Sequence, residues 1–126
     1  MTVTIDDAAG AGEAISNDII SCNFTTSRGV QDVTGLNKSA MERLLLLNDF
    51  TLDLVAVFNP AGSPSMFDVL STPADNDTRT VVIVVGGKTL TAECVLTSAN
   101  WSRNQDGSFT CSANFALADG TAAAWT

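Results

Sequence analysis

Two stretches in the last third of the chain alternate apolar and polar residues, and this pattern constrains the fold more than any other feature. Residues 89–99 and residues 109–115 both follow it. Side chains along a strand point to opposite faces in turn, so each stretch predicts a long strand with one buried and one wet face. Asp106-Gly107, between them, is typical of a tight turn because glycine accepts a positive φ. The sequence therefore predicts a long antiparallel hairpin with a flat face of Thr, Ser and Asn.

Upstream segments predict further strands around the same core. Residues 50–58 alternate. Residues 79–85 predict a strand buried on both faces, because the apolar run within them, residues 81–85, does not alternate. Gly86-Gly87 predicts the turn into the final hairpin. Ser63-Pro64 predicts a short helix over residues 65–70, since serine caps helices and proline suits a first turn. The chain is thus expected to be mainly β: an antiparallel β-sandwich or partial barrel with one or two short helices and a long C-terminal hairpin.

Composition along the chain divides it into an arm and a domain. Residues 1–13 are rich in Ala, Gly and Asp, which predicts a flexible N-terminal arm. Residues 14–126 are long enough for a single β-sandwich domain with its own core. Within that domain, Arg28-Gly29 predicts a turn. The segment over residues 59–77 is rich in Pro, Gly and Asp and is expected to be mobile until a partner orders it.

Charge and residue types exclude several classes of function. The chain has 6 basic and 14 acidic residues and a net charge of −8. Nucleic-acid binding relies on Lys and Arg contacts with phosphate, so the chain is a poor candidate for it. It contains no His and no Tyr, so the usual general base and the commonest metal ligand are missing. We therefore expect no enzyme activity, no metal and no other cofactor. No apolar run approaches the ~18–20 residues needed to cross a bilayer.

The three cysteines lie in apolar strand patterns. Cys22, Cys94 and Cys111 are expected to be small buried hydrophobic residues in a reducing compartment. Neighbouring strands could bring Cys94 and Cys111 close, which is compatible with a disulfide but does not imply one.

Three local motifs suggest chemistry, and each has a plainer explanation. Asp53 and Glu93 lie on polar strand faces, but nothing places them at the spacing of an acid–base pair. The Asp-Asn-Asp of residues 75–77 lacks the spaced pattern of an EF-hand loop, so a solvated loop explains it better than calcium binding. Gly86-Gly87-Lys88 lacks the first glycine and the following helix of a phosphate-binding loop, so a hairpin turn explains it better.

Several segments, in their order and spacing, resemble the major tail proteins of long-tailed bacteriophages. After the final hairpin, residues 118–125 read Ala-Asp-Gly-Thr-Ala-Ala-Ala-Trp, and members of that family often finish with a similar run. The similarity covers about residues 15–125. Its other segments are Asp32-Val33-Thr34-Gly35, Ala40-Met41-Glu42-Arg43, Asn48-Asp49-Phe50-Thr51-Leu52, Phe58-Asn59-Pro60-Ala61 and Phe67-Asp68-Val69-Leu70.

The resemblance implies a structural subunit of a phage tail tube. Such subunits form sixfold rings that stack around an acidic channel, and the channel conducts the DNA genome. The polar strand faces would line that channel, and the isolated aromatic residues would anchor interfaces. The expected channel-lining residues are Thr51, Asp53, Thr91, Glu93, Thr97, Thr110, Ser112 and Asn114. The expected interface residues are Trp101, Trp125 and Phe67.

The same resemblance implies partners and a location. The expected partners are further copies of the chain, the tape measure, tail terminator and distal tail proteins, and double-stranded DNA that passes without specific binding; no membrane is involved. The expected place is the virion tail, assembled in the host cytoplasm. Ring stacking is expected to use the N-terminal arm and the segments around residues 35–38 and 59–77. Two alternatives stay open: a phage capsid decoration or head–tail joining protein, and a β-sandwich module that binds a ligand or glycan.

Overall fold

The computed structural model of the chain describes residues 1–62, 64–71 and 78–126, in which eight strands form one antiparallel sheet beside a short helix. The predicted mainly β fold is confirmed, including the long C-terminal hairpin and the short helix. The cap of that helix is Ser65 and Met66 is its first residue, whereas the sequence predicted a cap at Ser63, which lies outside the described residues. The elements are β1 (Thr2–Asp6), β2 (Gly12–Ala14), β3 (Ile19–Asp32), β4 (Arg43–Val57), α1 (Met66–Leu70), β5 (Arg79–Val85), β6 (Lys88–Arg103), β7 (Phe109–Leu117) and β8 (Ala124–Trp125).

Strand β6 joins two halves of the sheet, whose order is β2-β1-β5-β6-β7-β4-β3. Residues 88–94 of β6 pair with β5 on one edge, and residues 94–103 pair with β7 on the other edge. β8 pairs with Leu90 and Thr91 on the β7 side, so it continues the line of β7. Residues 95–103 of β6 have no described strand on the edge opposite β7. β3 likewise has no described strand on the edge opposite β4.

The hydrophobic core is a single cluster with side chains from both halves of the sheet, so the sheet curls over on itself. Helix α1 contributes three buried side chains to that cluster. The Ser65 hydroxyl accepts a hydrogen bond from the Asp68 N–H at 3.5 Å, which caps the first turn of α1. The buried core residues are Val3, Ile5, Ile15, Phe50, Leu52, Leu54, Ala56, Met66, Val69, Leu70, Val81, Ile83, Leu90, Ala92, Cys94, Leu96, Cys111, Ala113 and Phe115.

A buried arginine fixes the position of the helix. Arg79, at the start of β5, is only 1% exposed. Its Nη1 donates to the carbonyl of Val69 in α1 and, at 3.5 Å, to the carbonyl of Asp6 at the end of β1. A guanidinium is tolerated in the interior only when its N–H groups are bonded, so Arg79 ties α1 to β1 and β5.

The predicted flexible arm over residues 1–13 is wrong. Thr2–Asp6 forms β1, which pairs with β5, and Val3 and Ile5 are fully buried. Val3 and Ile5 alternate with Thr2 and Thr4, which is the period-two pattern of a half-buried strand. The Ala and Gly residues that suggested flexibility occupy the turn after β1 and the first position of β2, so the sheet includes the first residues.

Two other expectations need correction. Arg28-Gly29 is not a turn: both residues lie within β3, at a bulge where the register with β4 shifts between Arg28 and Val30. The segment over residues 59–77, expected to be mobile, contains helix α1, whose Met66, Val69 and Leu70 are buried in the core. Residue 63 and residues 72–77, which include the expected loop and the Asp-Asn-Asp motif, lie outside the described residues.

Candidate functional site

The wet faces of four neighbouring strands form one polar surface, which we call the polar wall. The register places Asn23, Asp53, Asn114 and Ser98 side by side across β3, β4, β7 and β6. Every second residue of a strand points the same way, so the adjacent rows extend this surface. The wall consists of Ser21, Asn23, Thr25, Thr51, Asp53, Val55, Ser98, Asn100, Ser102, Thr110, Ser112 and Asn114.

Most of the expected channel-lining residues lie on this wall. Thr51, Asp53, Thr110, Ser112 and Asn114 are all part of it. Thr97 lies beside it, in a bulge of β6, where its hydroxyl donates to the Asn114 carbonyl at 2.9 Å.

Thr91 and Glu93 belong to the other half of the sheet. Glu93 pairs with Thr80 of β5 and accepts a hydrogen bond from its hydroxyl, while Thr91 pairs with Val82. Ser98 is the β6 residue in the row of Asp53, and Glu93 lies about 16 Å from it along the strand at 3.3 Å per residue. The structure therefore does not bring the two carboxylates together.

Sequence patterning missed half of the wall for two identifiable reasons. The register shift between Leu96 and Ser98 inserts one residue into β6, so the wet face passes from odd to even positions and takes in Ser98, Asn100 and Ser102. The available signal was the polar pair Thr97-Ser98 inside an otherwise strict alternation. The β3 residues were missed because that strand is mixed on both faces.

The polar wall carries negative charge and no positive charge. Asp53 is its carboxylate, and Asp49 lies on the same side of β4, four residues nearer the start of the strand. The remaining groups are mainly hydroxyls and amides that bond across strands: the Asn114 amide donates to the Ser98 hydroxyl at 2.9 Å. Such a surface holds water but repels phosphate.

The ends of β3 and β4 continue beyond the core as a hairpin, which we call the leucine arm (residues 27–49). Residues 43–49 of β4 alone extend about 23 Å. The four leucines at positions 44–47 are 45–89% exposed, and Val30, Leu36 and Met41 are exposed as well. Successive strand residues point to opposite faces, so the arm is apolar on both faces. A contiguous exposed apolar surface marks an interaction site.

The leucine arm also differs in charge from the rest of the chain. It holds three of the 6 basic residues and three of the 14 acidic residues, so it is neutral and the remainder carries the whole charge of −8. Arg28 Nε donates a hydrogen bond to Asn48 Oδ1 across the two strands. Near the tip of the arm, Lys38 Nζ lies 3.5 Å from Glu42 Oε1, which makes a salt bridge.

Four aromatic rings meet at the opposite end of the sheet, which we call the aromatic end: Phe58, Phe67, Trp101 and Phe109. The Phe58 ring lies 5.9 Å from Phe67, 6.0 Å from Trp101 and 5.2 Å from Phe109, each edge to face. Trp101 stacks on Phe109 at 5.8 Å. Phe67 is 41% exposed and Phe109 is 37% exposed, so the cluster is open to solvent on one side.

The expected interface residues divide between two places. Trp101 and Phe67 are both in the aromatic end, with ring centroids 6.5 Å apart. Trp125 lies elsewhere, in β8, with its ring 6.1 Å from Phe24 and 49% of its surface exposed.

Metal-ligating and nucleophilic side chains are dispersed over the described residues. Those residues contain no cluster of three or more His, Cys, Asp or Glu that could hold a metal. All three cysteines are free thiols, and burial raises their pKa values, for Cys94 to about 12. Gly86 and Gly87 form the β5–β6 turn, both with positive φ. No described helix has the length and apolarity to cross a membrane.

Comparison with known proteins finds the same fold in a particle tail. A chain from the tail of an empty gene transfer agent particle, reconstructed by helical refinement with sixfold cyclic symmetry, matches with a TM-score of 0.78. The two chains are 17% identical over 100% of this chain and 95% of that chain. The chain shares its fold with a component of a tail.

A second match is a chain from the virion of a native gene transfer agent particle. Its TM-score is 0.72, with 17% identity over 98% of this chain and 95% of that chain. No family model and no curated protein matches the sequence.

Proposed function

We propose that this chain is the structural subunit of a phage-type tail tube. Copies join side by side into a closed ring, the rings stack, and the polar wall faces a channel through which double-stranded DNA passes. The observation that carries this proposal is the pair of open strand edges at the two sides of the wall, on β3 and on residues 95–103 of β6. The shared fold with a sixfold symmetric tail supports it.

The strand directions suit such a ring. Across the wall β6, β7, β4 and β3 alternate in direction, because every pairing is antiparallel. If each copy keeps the same orientation around the ring axis, β3 of one copy meets β6 of the next in antiparallel alignment. The new pairing continues the sheet and the wall, and ring closure removes the two open edges beside the wall, which would otherwise promote uncontrolled association.

The chemistry of the wall suits a conduit for DNA. Hydroxyl and amide groups keep the surface hydrated, and Asp53 repeats once in each copy. Binding to DNA depends on Lys and Arg contacts with phosphate, and the wall residues include neither. DNA is therefore repelled from the surface and slides. On this proposal the subunit has a structural role in the virion tail and no enzymatic role. It is assembled in the host cytoplasm, and other tail proteins cover the two ends of the tube.

Thiol cross-linking tests the ring. In a Cys22→Ser background, Asn23→Cys and Asn100→Cys place one thiol on each open edge, while Cys94 and Cys111 stay buried. A short bifunctional reagent should then give a covalent ladder that ends at six copies, and electron microscopy should show rings with a central channel. The matched control, Asp53→Cys with Ser112→Cys, puts both thiols on inner strands and should give no ladder. A chain that stays monomeric at high concentration and gives no ladder would contradict the ring.

A further inference from the structure

The sheet divides beyond the end of β7, and a cleft lies at the division. β7 ends at Leu117, and β8 resumes its line beside Leu90 and Thr91 of β6. Residues 48–50 of β4 pair with β3 and with no other described strand. The cleft, which we call the fork cleft, has a volume of about 370 Å³, within the range of small-molecule sites. Side chains of β3, β4 and β8 line it, among them Thr26, Ser27, Arg28, Asn48, Asp49 and Trp125.

Trp125 gives the fork cleft a fixed aromatic wall. Its ring lies 6.1 Å from the ring of Phe24, which in turn lies 6.3 Å from the ring of the fully buried Phe50. Next to it, the Thr126 N–H donates to the Thr89 carbonyl at 2.8 Å, and the Thr89 N–H donates to the Thr126 carbonyl at 3.0 Å. The indole is thus anchored to the core, yet 49% of Trp125 is exposed. An exposed aromatic face of this kind attracts the C–H groups of a ligand.

Hydrogen-bond donors lie beside this aromatic wall. Arg28 Nε donates to Asn48 Oδ1, and this bond orients the planar guanidinium. Neither side chain makes a further hydrogen bond to the described residues. Both Nη groups of Arg28 and the Asn48 NH₂ group therefore remain available to a ligand.

Asp49 supplies an acceptor and balances the charge. Its side chain turns back to the open edge of β4, where Oδ1 accepts a hydrogen bond from the Phe50 N–H at 2.8 Å in place of a neighbouring strand. Its register partner, Ser27, precedes Arg28 in β3, so the carboxylate and the guanidinium belong to adjacent cross-strand pairs. Their charges cancel, and the chain as a whole carries −8, so an anion gains no net attraction here.

We propose that the fork cleft binds a neutral pyranose sugar ring. One face of such a ring carries C–H groups, which stack on Trp125. Its hydroxyls both donate and accept, which matches the donors of Arg28 and Asn48 and the carboxylate of Asp49. A free sugar and the terminal ring of a glycan chain present the same groups to the cleft.

The fork cleft lies outside the proposed channel. Successive strand residues point to opposite faces, so Thr26 and Arg28 point away from the side on which Thr25 contributes to the polar wall. This sugar site is therefore independent of the proposed ring, and its failure would leave the tail-tube proposal intact.

Tryptophan fluorescence tests the sugar site. The chain has two tryptophans, so in a Trp101→Phe background the emission reports on Trp125 alone. Titration with glucose, galactose and N-acetylglucosamine should change that emission to saturation for at least one sugar, whereas inorganic phosphate should not. Arg28→Ala should weaken the binding about tenfold, because it removes a charged hydrogen-bond donor. Arg103→Ala, at an exposed position outside the cleft, is the matched control and should bind as the unmodified cleft does.

Further variants and ligands sharpen the test. Circular dichroism checks the fold of each variant, and Arg28→Lys, which keeps the charge but loses the forked donors, should also weaken binding. Equal affinity for the sugar and its methyl glycoside supports the end of a glycan chain as the ligand, while loss of binding by the glycoside supports a free sugar. Saturation by none of the three sugars would overturn the proposal. Saturation by phosphate instead, or equal sugar binding by Arg28→Ala and Arg103→Ala, would overturn it as well.

Discussion

Asp53 of β4 is the direct cross-strand partner of Asn114 of β7, in the middle of the polar wall. The row continues from Asn114 to Ser98 on one side and from Asp53 to Asn23 on the other, so Asp53 is its charged member. The neighbours of Asp53 along β4, Leu52 and Leu54, are fully buried on the opposite face. Charge on the wall can therefore be changed at this position without altering the core.

Reversing that charge should slow DNA passage. Asp53→Lys would replace, in each copy, a carboxylate that repels DNA phosphate with an ammonium group that contacts phosphate. Such contacts strengthen as the salt concentration is lowered. The position is exposed, so the stability change should stay within about 0.5 kcal/mol and tubes should still form. We expect DNA ejection from particles that contain the variant to be slower, most strongly at low salt.

Asp119→Lys is the matched control for this experiment. It makes the same charge change at an exposed position outside the wall. Ejection from particles with this variant should be unchanged. Equal rates for both variants at every salt concentration would mean that Asp53 does not face the DNA.

Loss of the buried arginine should destabilise the fold. Arg79→Ala would leave the Val69 carbonyl without its guanidinium donor in the interior, at the end of α1. Removing a charged hydrogen-bond partner of a buried group costs about 1.5–3 kcal/mol. We expect the urea midpoint of unfolding to fall accordingly. Arg103→Ala, at an exposed position, should change the midpoint little; similar losses for both variants would mean that the Arg79 contacts add nothing.

Much of the fold could be predicted from the sequence because its signals are local. Residues 109–115 and residues 50–57 are strands as their alternation predicted, and Leu52, Leu54, Cys111 and Ala113 point into the core. Two predicted inward residues differ: Phe58 follows the end of β4, and Phe109 is 37% exposed. The short helix predicted from Ser63-Pro64 is present at residues 66–70, with Ser65 as its cap in place of the predicted Ser63. In each case the deciding interaction lies within one element or between adjacent ones.

The errors arose where a distant partner decides the structure. Residues 2–6 have a weak pattern of their own, and become a strand because β5 offers an open edge and Val3 and Ile5 fill the core. Arg28-Gly29 has turn composition, yet pairing with β4 over residues 43–57 keeps it extended. The bulge at Thr97 shifts the register with β7, and the polar pair Thr97-Ser98 is its signal within β6.

The exposed surfaces were the least predictable part of the molecule. Leu44 to Leu47 look like the core of a strand or helix in sequence, since four consecutive leucines are usually buried. In the single chain they are exposed, because the arm extends beyond the body. A sequence pattern reports that a segment prefers burial and does not say whether its own chain or another copy buries it.

The β5–β6 turn requires glycine at its first central position. Gly86 has a φ of +57° and Gly87 a φ of +81°, which is the conformation of a two-residue turn that matches the twist of a hairpin. Gly86→Ala should therefore lower the free energy of unfolding by about 1–2 kcal/mol. Gly62→Ala is the control, because Gly62 has no positive φ and an added Cβ meets no atom within 4 Å. Equal unfolding midpoints for the two variants would contradict this account of the turn.

The buried thiol of Cys94 should make stability depend on alkaline pH. Burial, and secondarily the negative charges of Glu93 and Asp119, raise its pKa from 9.0 to about 12. The unfolded chain releases this proton near pH 9, while the native chain keeps it until about pH 12. Deprotonation therefore favours the unfolded state in that window, and stability that is fully present below pH 9 is lost as the pH rises toward 12.

Replacing Cys94 should remove part of that dependence. The free energy of unfolding of the unmodified chain should fall above pH 9, with Cys94 contributing up to about 1.4 kcal/mol for each pH unit. Cys94→Ala should show a smaller decline, although its stability at neutral pH is lower because a buried side chain has been shortened. Urea unfolding followed by fluorescence at a series of pH values compares the two slopes, and all other titrating groups are common to both chains. Parallel curves above pH 9 would mean that the native and unfolded states hold the Cys94 proton equally well, and that burial does not protect this thiol.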